Sequence, residues 1–341
     1  MERFGYSALL SSKAIPNGAS GVVLTEIQLR DLSDGDVVLI EKDGGIKRIW
    51  DCKSPHNSLL VTEQCNSRCI MCPQPPKKEV DSRHKFNLKV LELIGPKGVE
   101  SLALTGGEPT LREEELINLI SLCKKKLPNT SLMILTNGRK LRDFRFAKQI
   151  VEVGHQNLMF GVPLYASTDK EHDRIVGSKG AFYETLAGLK NLALFLQKIE
   201  IRIVLHKLTY KRLLALSDFI YRNLPFVAHI SFMGMETHGL AEKNLERLWI
   251  DPVDYIQELS EAINYLYKRN LNVSIYNLPH CILPEGLWRF SRQSISDWKN
   301  IFIKECSGCD LVNECAGFFE TSSNVISKHI KPIKLANYML R

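Results

Sequence analysis

The 341-residue chain reads as an α/β protein built on a repeated strand–helix unit, with a small β-rich segment before it and a loop-rich segment after it. Three observations predict this. Short apolar runs alternate six times with amphipathic stretches between about residues 58 and 270. The first 55 residues instead carry short β-branched runs broken by turn signals. Seven of the nine cysteines fall into two clusters about 200 residues apart, one inside the repeat and one beyond it. Length alone suggests about two domains; the pattern divides the chain into 1–55, 56–270 and 271–341.

In the first segment, Asp34-Gly35 and Asp43-Gly44-Gly45 mark turns between strand-like runs. No chemistry is visible there. Cys52 stands alone, and a lone cysteine is more often a small buried hydrophobe than a ligand. In the repeat, the apolar runs cover 59–62, 101–105, 131–136, 158–165, 199–206 and 227–233. The helical stretches between them cover 86–94, 112–126, 143–153, 180–198, 211–223 and 252–269. Such an alternation makes parallel strands joined by right-handed crossovers. Closed or partly closed, it is a (β/α) barrel; open, it is a doubly wound sheet, and the alternation does not separate the two. In the fifth run Ile199, Ile201, Ile203 and Leu205 alternate with Glu200, Arg202, Val204 and His206. A strand covered on both faces carries charges on one of them only if they meet a wet lumen or each other.

Composition excludes some classes. With 44% hydrophobic and 24% charged residues the chain is too apolar for disorder and too charged for a membrane protein. No uncharged run approaches the ~18–20 residues of a membrane span; the longest apolar region, 186–205, is broken by Lys190, Lys198, Glu200 and Arg202. The N-terminus has neither a basic stretch nor a sustained apolar one, so a cytoplasmic chain without a secretory signal is expected. A net charge of +7 is mild, and no basic stripe interleaves with aromatics, so nucleic acid is not expected as a partner.

Nine thiols, an odd count in a long chain, are unlike a disulfide framework, and the seven clustered ones read as metal ligands. Cys65, Cys69 and Cys72 lie within eight residues, directly after the first apolar run. Three thiolates on one loop can converge on an iron–sulfur cluster and leave one iron without a protein ligand. A structural zinc needs four ligands, and only His56 and His84 flank the loop, at a distance. The second set is Cys281, Cys306, Cys309 and Cys315. Four cysteines close a complete ligand set for a cluster or a zinc, although a zinc ribbon pairs two CxxC hooks and here there is one. Cys123, inside an amphipathic stretch, reads as core.

The Cys-x3-Cys-x2-Cys loop after the first strand of a six-fold β/α repeat resembles the signature of radical S-adenosylmethionine (SAM) enzymes. Thr105-Gly106-Gly107-Glu108-Pro109, about 35 residues on at the second strand end, is similar to that family's GGE motif. The resemblance implies a partial (β/α)6 TIM-type barrel holding a [4Fe–4S] cluster whose open iron is chelated by SAM. It places Met71 beside the adenine and Gly106, Gly107, Glu108 and Pro109 at the methionine amino group. Asn137 and Ser167, at later strand ends, are candidates for the ribose or the carboxylate, or else cap the next helix. Arg202 is a candidate for the SAM carboxylate, or else the partner of Glu200. His172 and Asp173 are expected to cap or pair locally.

The C-terminal cysteines resemble an auxiliary iron–sulfur domain of SPASM or twitch type. The strings at 232–239, 276–281, 287–290, 294–300 and 315–319 look like the His-Xaa-Ser system radical SAM maturase, C type. That resemblance implies reductive cleavage of SAM to a 5′-deoxyadenosyl radical, which takes hydrogen from a ribosomally made peptide carrying His-Xaa-Ser repeats. It also implies a companion maturase of B type and an external electron donor. An enzyme modifying tRNA or a small molecule, and a zinc-binding scaffold, are the alternatives. No residue is singled out as acid or base.

Overall fold

The computed structural model describes residues 9–11, 21–23, 31–41, 43, 45–79, 83–95, 99–294, 300–322 and 325–337. Most of the first 30 residues, the turn residue Gly44 and residues 295–299 of one string noted above lie outside that set.

Eight parallel strands form one sheet. Numbering follows the short N-terminal strands β1 (Leu9–Ser11) and β2 (Gly21–Val23), which pair with each other, and the antiparallel hairpin of β3 (Val37–Ile40) and β4 (Ile46–Trp50). The sheet then runs β5 (His56–Thr62), β6 (Ser101–Gly106), β7 (Ser131–Leu135), β8 (Leu158–Pro163), β9 (Lys198–Leu205), β10 (His229–Gly234), β11 (Val273–Tyr276) and β12 (Ser291–Arg292), in that spatial order. A doubly wound sheet would reverse its strand order at a switch point. A monotonic order with right-handed crossovers puts the helices on one face and curls the sheet around the other. The fold is therefore a partial barrel. Among the described residues β5 and β12 do not pair, which leaves it open on one side.

The alternation continues two strands further than the sequence pattern indicates. β11 and β12 have four and two residues, too few to display a period of two. The principal helices are α1 (His84–Leu93), α2 (Glu113–Lys126), α3 (Phe144–Glu152), α4 (Asp169–Val176), α5 (Ala181–Leu194), α6 (Leu213–Asn223) and α7 (Ile256–Tyr267). α4 is the one the apolar pattern misses, because Ile175 and Val176 are its sole aliphatic residues and stand at its end. Asp173 on α4 starts α5, accepting from the backbone N–H of Gly180 (2.5 Å) and Phe182 (2.9 Å).

One continuous apolar cluster fills the space between sheet and helices. It joins Leu104, Ile134, Phe160, Ile201 and Phe232 to helix residues at 3–4 spacing, such as Leu116, Leu119, Ile120 and Cys123 of α2. Trp50 and Val37 of the hairpin belong to the same cluster, so the hairpin packs on the barrel wall.

The inner face is polar where β9 crosses it. Register places Leu135, Gly161, Glu200 and His229 in one rung and Pro163, Arg202, Ser231 and Ser274 in the next. Ser231 donates to Glu200 (2.6 Å), with His229 Nδ1 at 3.7 Å and Arg202 Nε at 3.8 Å from the same carboxylate. Gly161 makes room for the arginine: a Cβ there would lie 3.2 Å from Arg202 Cδ and 2.8 Å from Leu135. The two charges predicted for one face thus point inward and also pair.

Burial pushes the Glu200 carboxyl up, but the bond with His229, the charge of Arg202 and the Ser231 hydroxyl outweigh it and hold it below its ordinary 4.5. A carboxylate depressed on folding adds stability that is full above its unfolded value and is lost as pH falls through the lower folded one. Urea unfolding of the chain and of Glu200→Gln should therefore differ most near neutral pH, and the gap should close as pH falls below about 4.5. A gap that widens on acidification would overturn this account.

Candidate functional site

The loop carrying Cys65, Cys69 and Cys72 leaves the C-terminal end of β5, the end at which parallel barrels carry their active sites. It is held from several sides. Arg68 and Ile70 N–H donate to the Val176 and Ile175 carbonyls at the end of α4 (2.8 and 3.0 Å). Asn244 Nδ2 donates to the Ile70 carbonyl (3.1 Å), and Leu240 N–H to that of Cys72 (2.8 Å). Asn137 Nδ2 donates to Asn66 Oδ1 (2.6 Å), while the Arg139 guanidinium reaches the Asn66 carbonyl and Ser67 Oγ and is itself paired with Glu184 (2.6 Å).

The closest approach is made by Gly106 and Gly107. A Cβ on Gly106 would lie 2.3 Å from the Thr62 carbonyl oxygen, and one on Gly107 2.2 Å from that of Gln64. Their neighbours complete the tie: Gly107 and Glu108 N–H donate to Thr62 and Gln64 (2.7 Å each). The glycines therefore press β6 against the chain's own backbone, one residue before Cys65.

Glu108 follows, fully buried. Its Oε1 accepts from Thr110 N–H (3.0 Å), Thr110 Oγ1 (2.5 Å) and Thr136 Oγ1 (2.6 Å); its Oε2 accepts from Asn137 N–H (2.6 Å). Burial raises its pKa against the pull of those four bonds. The carboxylate braces the end of β6 to the end of β7, and buried Pro109 opens the turn after it. Met71 is buried in a small apolar cluster with Tyr165, Val176 and Ala241. Ser167 is half-buried in the turn after β8, and Arg202 lies lower, on the inner face of β9.

The three thiols sense one another. Burial pushes Cys69 up to about 12, and the charges of Cys65 and Cys72 add to that; burial pushes Cys65 up to about 11 and also raises Cys72. Such thiols ionise together only around a positive centre. Tyr165, Asn66 and Arg139, which the sequence did not single out, border or hold this loop. Tyr165 is raised well above its usual value by burial, then by Cys69 and Cys72.

Cys281, Cys306, Cys309 and Cys315 line one small cavity, together with His280, Phe302, Val312 and Lys331. Backbone N–H groups point at its sulfurs: His280 and Gly317 at Cys315 (3.4 and 3.5 Å) and Ile333 at Cys309 (3.3 Å). Burial raises Cys281 and Cys315, with the other thiols of the set contributing. Among the described residues no group of three or more His, Cys, Asp or Glu side chains is arranged to hold a metal ion.

The site is thus a parallel barrel with a clamped three-thiol loop at its mouth. Residues 59–220 match the Radical SAM superfamily, so the chain carries a radical SAM enzyme domain, whose cofactors are a [4Fe–4S] cluster and SAM. The chain is 28% identical over 236 residues to a GTP 3′,8-cyclase of Campylobacter jejuni subsp. doylei, covering 67% of this chain and 70% of that one. It is 26% identical over 195 residues to the molybdenum cofactor biosynthesis protein moc-5 of Caenorhabditis elegans, covering 54% and 31%. Its fold is similar to Streptococcus suis SuiB bound to S-adenosylmethionine (TM-score 0.52, 19% identity, 66% of this chain and 51% of SuiB). It is likewise similar to SuiB bound to its precursor peptide SuiA (TM-score 0.54, 20% identity, 66% and 49%). The likeness thus spans about half of SuiB. Among the described residues no helix is long and apolar enough to cross a membrane.

The glycine tie makes a sharp test. Gly107→Ala puts a Cβ against the Gln64 carbonyl and must shift the residue before Cys65, so the reconstituted chain should lose the iron of one cluster, about four atoms. Gly286→Ala, where a Cβ meets nothing within 4 Å, should keep its iron. Equal iron contents would mean that the loop does not depend on the approach.

Proposed function

We propose that Cys65, Cys69 and Cys72 hold the SAM-cleaving [4Fe–4S] cluster and that Cys281, Cys306, Cys309 and Cys315 hold an auxiliary one. The chain then acts as a maturase on a ribosomally made peptide with His-Xaa-Ser repeats, alongside a B-type companion maturase and an external electron donor. The observation that carries this reading is the gathering of four thiols, from positions up to 34 residues apart in sequence, around one cavity. In sequence they form one CxxC hook and two separated cysteines, which suits a cluster better than a zinc ribbon with its paired hooks. The fold likeness to SuiB, whose structure holds a precursor peptide, supports a peptide substrate.

When bound and reduced by one electron, cluster and SAM together supply a 5′-deoxyadenosyl radical. The chain's own residues orient and enclose the reactants. Glu108 Oε2 accepts one protein hydrogen bond where Oε1 accepts three, so it is the oxygen with capacity left for the methionine ammonium. Gly106, Gly107 and Pro109 shape that turn. The Arg202 Nη atoms meet the sulfurs of Met133 and Met233 (3.6 and 3.4 Å), weak acceptors that leave these donors ready for a carboxylate. Asn137 and Ser167 stand at neighbouring strand ends for the ribose or carboxylate, and Met71 stands on the cysteine loop for the adenine side.

The likeness to GTP 3′,8-cyclases favours a second reading, a small-molecule substrate. Mass spectrometry of a co-expressed His-Xaa-Ser peptide, run beside an assay for GTP consumption, separates the two. A mass change in the peptide without GTP turnover is expected. An unmodified peptide with GTP turnover would replace the first reading by the second.

Cys69→Ala should abolish 5′-deoxyadenosine formation; undiminished SAM cleavage would sink the cluster assignment. Glu108→Gln keeps the size of the brace but removes its charge. A charge-assisted bond is worth about 1.5–3 kcal/mol, so SAM binding should weaken roughly ten- to a hundred-fold with cluster assembly intact. The unmutated chain should hold about eight irons, and Cys306→Ala/Cys309→Ala about four, the latter still making 5′-deoxyadenosine but little modified peptide.

A further inference from the structure

We propose that His280 is a working part of the C-terminal thiol site, its ring N–H donating to a sulfur of the group that Cys281, Cys306, Cys309 and Cys315 hold. This rests on the auxiliary-cluster reading and deepens it. The residue is 5% exposed and is among those lining the same cavity as the four thiols. Its ring stacks on Trp288 (centroids 5.8 Å apart, planes at 29°), whose Nε1 donates back to the His280 carbonyl (3.0 Å). Its backbone N–H already points at Cys315 Sγ (3.4 Å).

Neither ring nitrogen has a hydrogen-bond partner among the described residues, and both are buried. A neutral imidazole carries one N–H and one acceptor nitrogen. Leaving such a group unpaired forfeits hydration that nothing replaces, a cost that a phenylalanine in the same stack would avoid. The other buried histidines with an idle nitrogen differ. His206 and His155 each accept a backbone N–H on Nδ1, from Leu208 (3.2 Å) and Asn157 (3.3 Å). His280 is idle on both sides and is one of the residues around a cavity lined by four thiols, whose sulfurs are acceptors its N–H lacks.

Four thiols already complete the ligand set of a cluster, so the ring addresses sulfur and not iron. A donor to sulfur stabilises the more negative, reduced state and raises the potential. His280 would thereby set how readily the auxiliary cluster accepts an electron.

The test uses the full chain, reconstituted anaerobically with iron and sulfide, in three forms: unmutated, His280→Leu and His280→Gln. Iron content and EPR-monitored redox titration are read together. All three should hold about eight irons. In His280→Leu one midpoint should fall, by about tenfold in its equilibrium with a one-electron donor, or about 59 mV. His280→Gln, which keeps an N–H, should recover part of that shift.

Should His280→Leu fail to load, the unmutated chain with ring-labelled ¹⁵N-histidine decides by pulsed EPR. A weak histidine-nitrogen coupling on the cluster that Cys306→Ala/Cys309→Ala removes supports the bond. No coupling, or the strong coupling of a directly bound nitrogen, overturns it, as does an unchanged midpoint with eight irons. About four irons in the unmutated chain would instead refute the auxiliary cluster, and this role with it.

Discussion

The mouth of the barrel depends on one close contact, the backbone of Gly106 and Gly107 lying against Thr62–Gln64. Two peptide units meet there at distances no side chain tolerates, with a Cβ at either glycine falling 2.2–2.3 Å from a carbonyl oxygen. The contact extends the β5–β6 pairing past the last regular rung and fixes where the chain turns into Glu63–Cys72. Three elements then brace the result: the end of α4, the Asn137–Arg139 segment after β7, and the turn around Leu240–Asn244. A loop of eight residues with three thiols would otherwise have no reason to hold them together, since each is raised by burial and two also by the charge of a neighbouring thiol.

Buried charge is treated in two ways in this barrel. Glu108 is buried at the rim, with three protein donors on Oε1 and one on Oε2. Glu200 sits on the inner face and shares its charge with Arg202, His229 and Ser231. A carboxylate so satisfied is rigid, as two strand ends that must keep a fixed separation require. Arg202 is held more loosely, 3.8 Å from its partner and flanked by methionine sulfur, and retains donors toward the lumen.

The C-terminal thiols obey a different constraint. Among the described residues only helices of three or four residues and no long strand occur around them, and what unites the segment is the cavity they line. Backbone N–H groups at Cys309 and Cys315, the Trp288–His280 stack and the bridge between Ile301 and Phe318 hold the turns in place.

Much of this was legible in one dimension. Six of the sheet's strands and the helices between them follow from apolar runs, because period and length are local properties. The alternation along 199–206 already required two charges to share an inner face. The grouping of cysteines already pointed to metal, and Cys123, set by helical spacing, lies in the core as its position implied. The choice of a barrel over a doubly wound sheet was not legible, since strand order is a relation between segments far apart. Neither were β11 and β12, too short to carry a pattern, nor α4, with aliphatic residues only at its end. At the site, the identities of Gly106, Gly107 and Glu108 were visible, but not that the glycines touch the chain's own backbone or that Thr136 and Asn137 meet the carboxylate. Cys281 joins Cys306, Cys309 and Cys315, and His280 comes with it, only because the turns fold back on one another. Local chemistry is written in residue types and spacing; which groups meet, and which are left without a partner, is decided when distant segments pack.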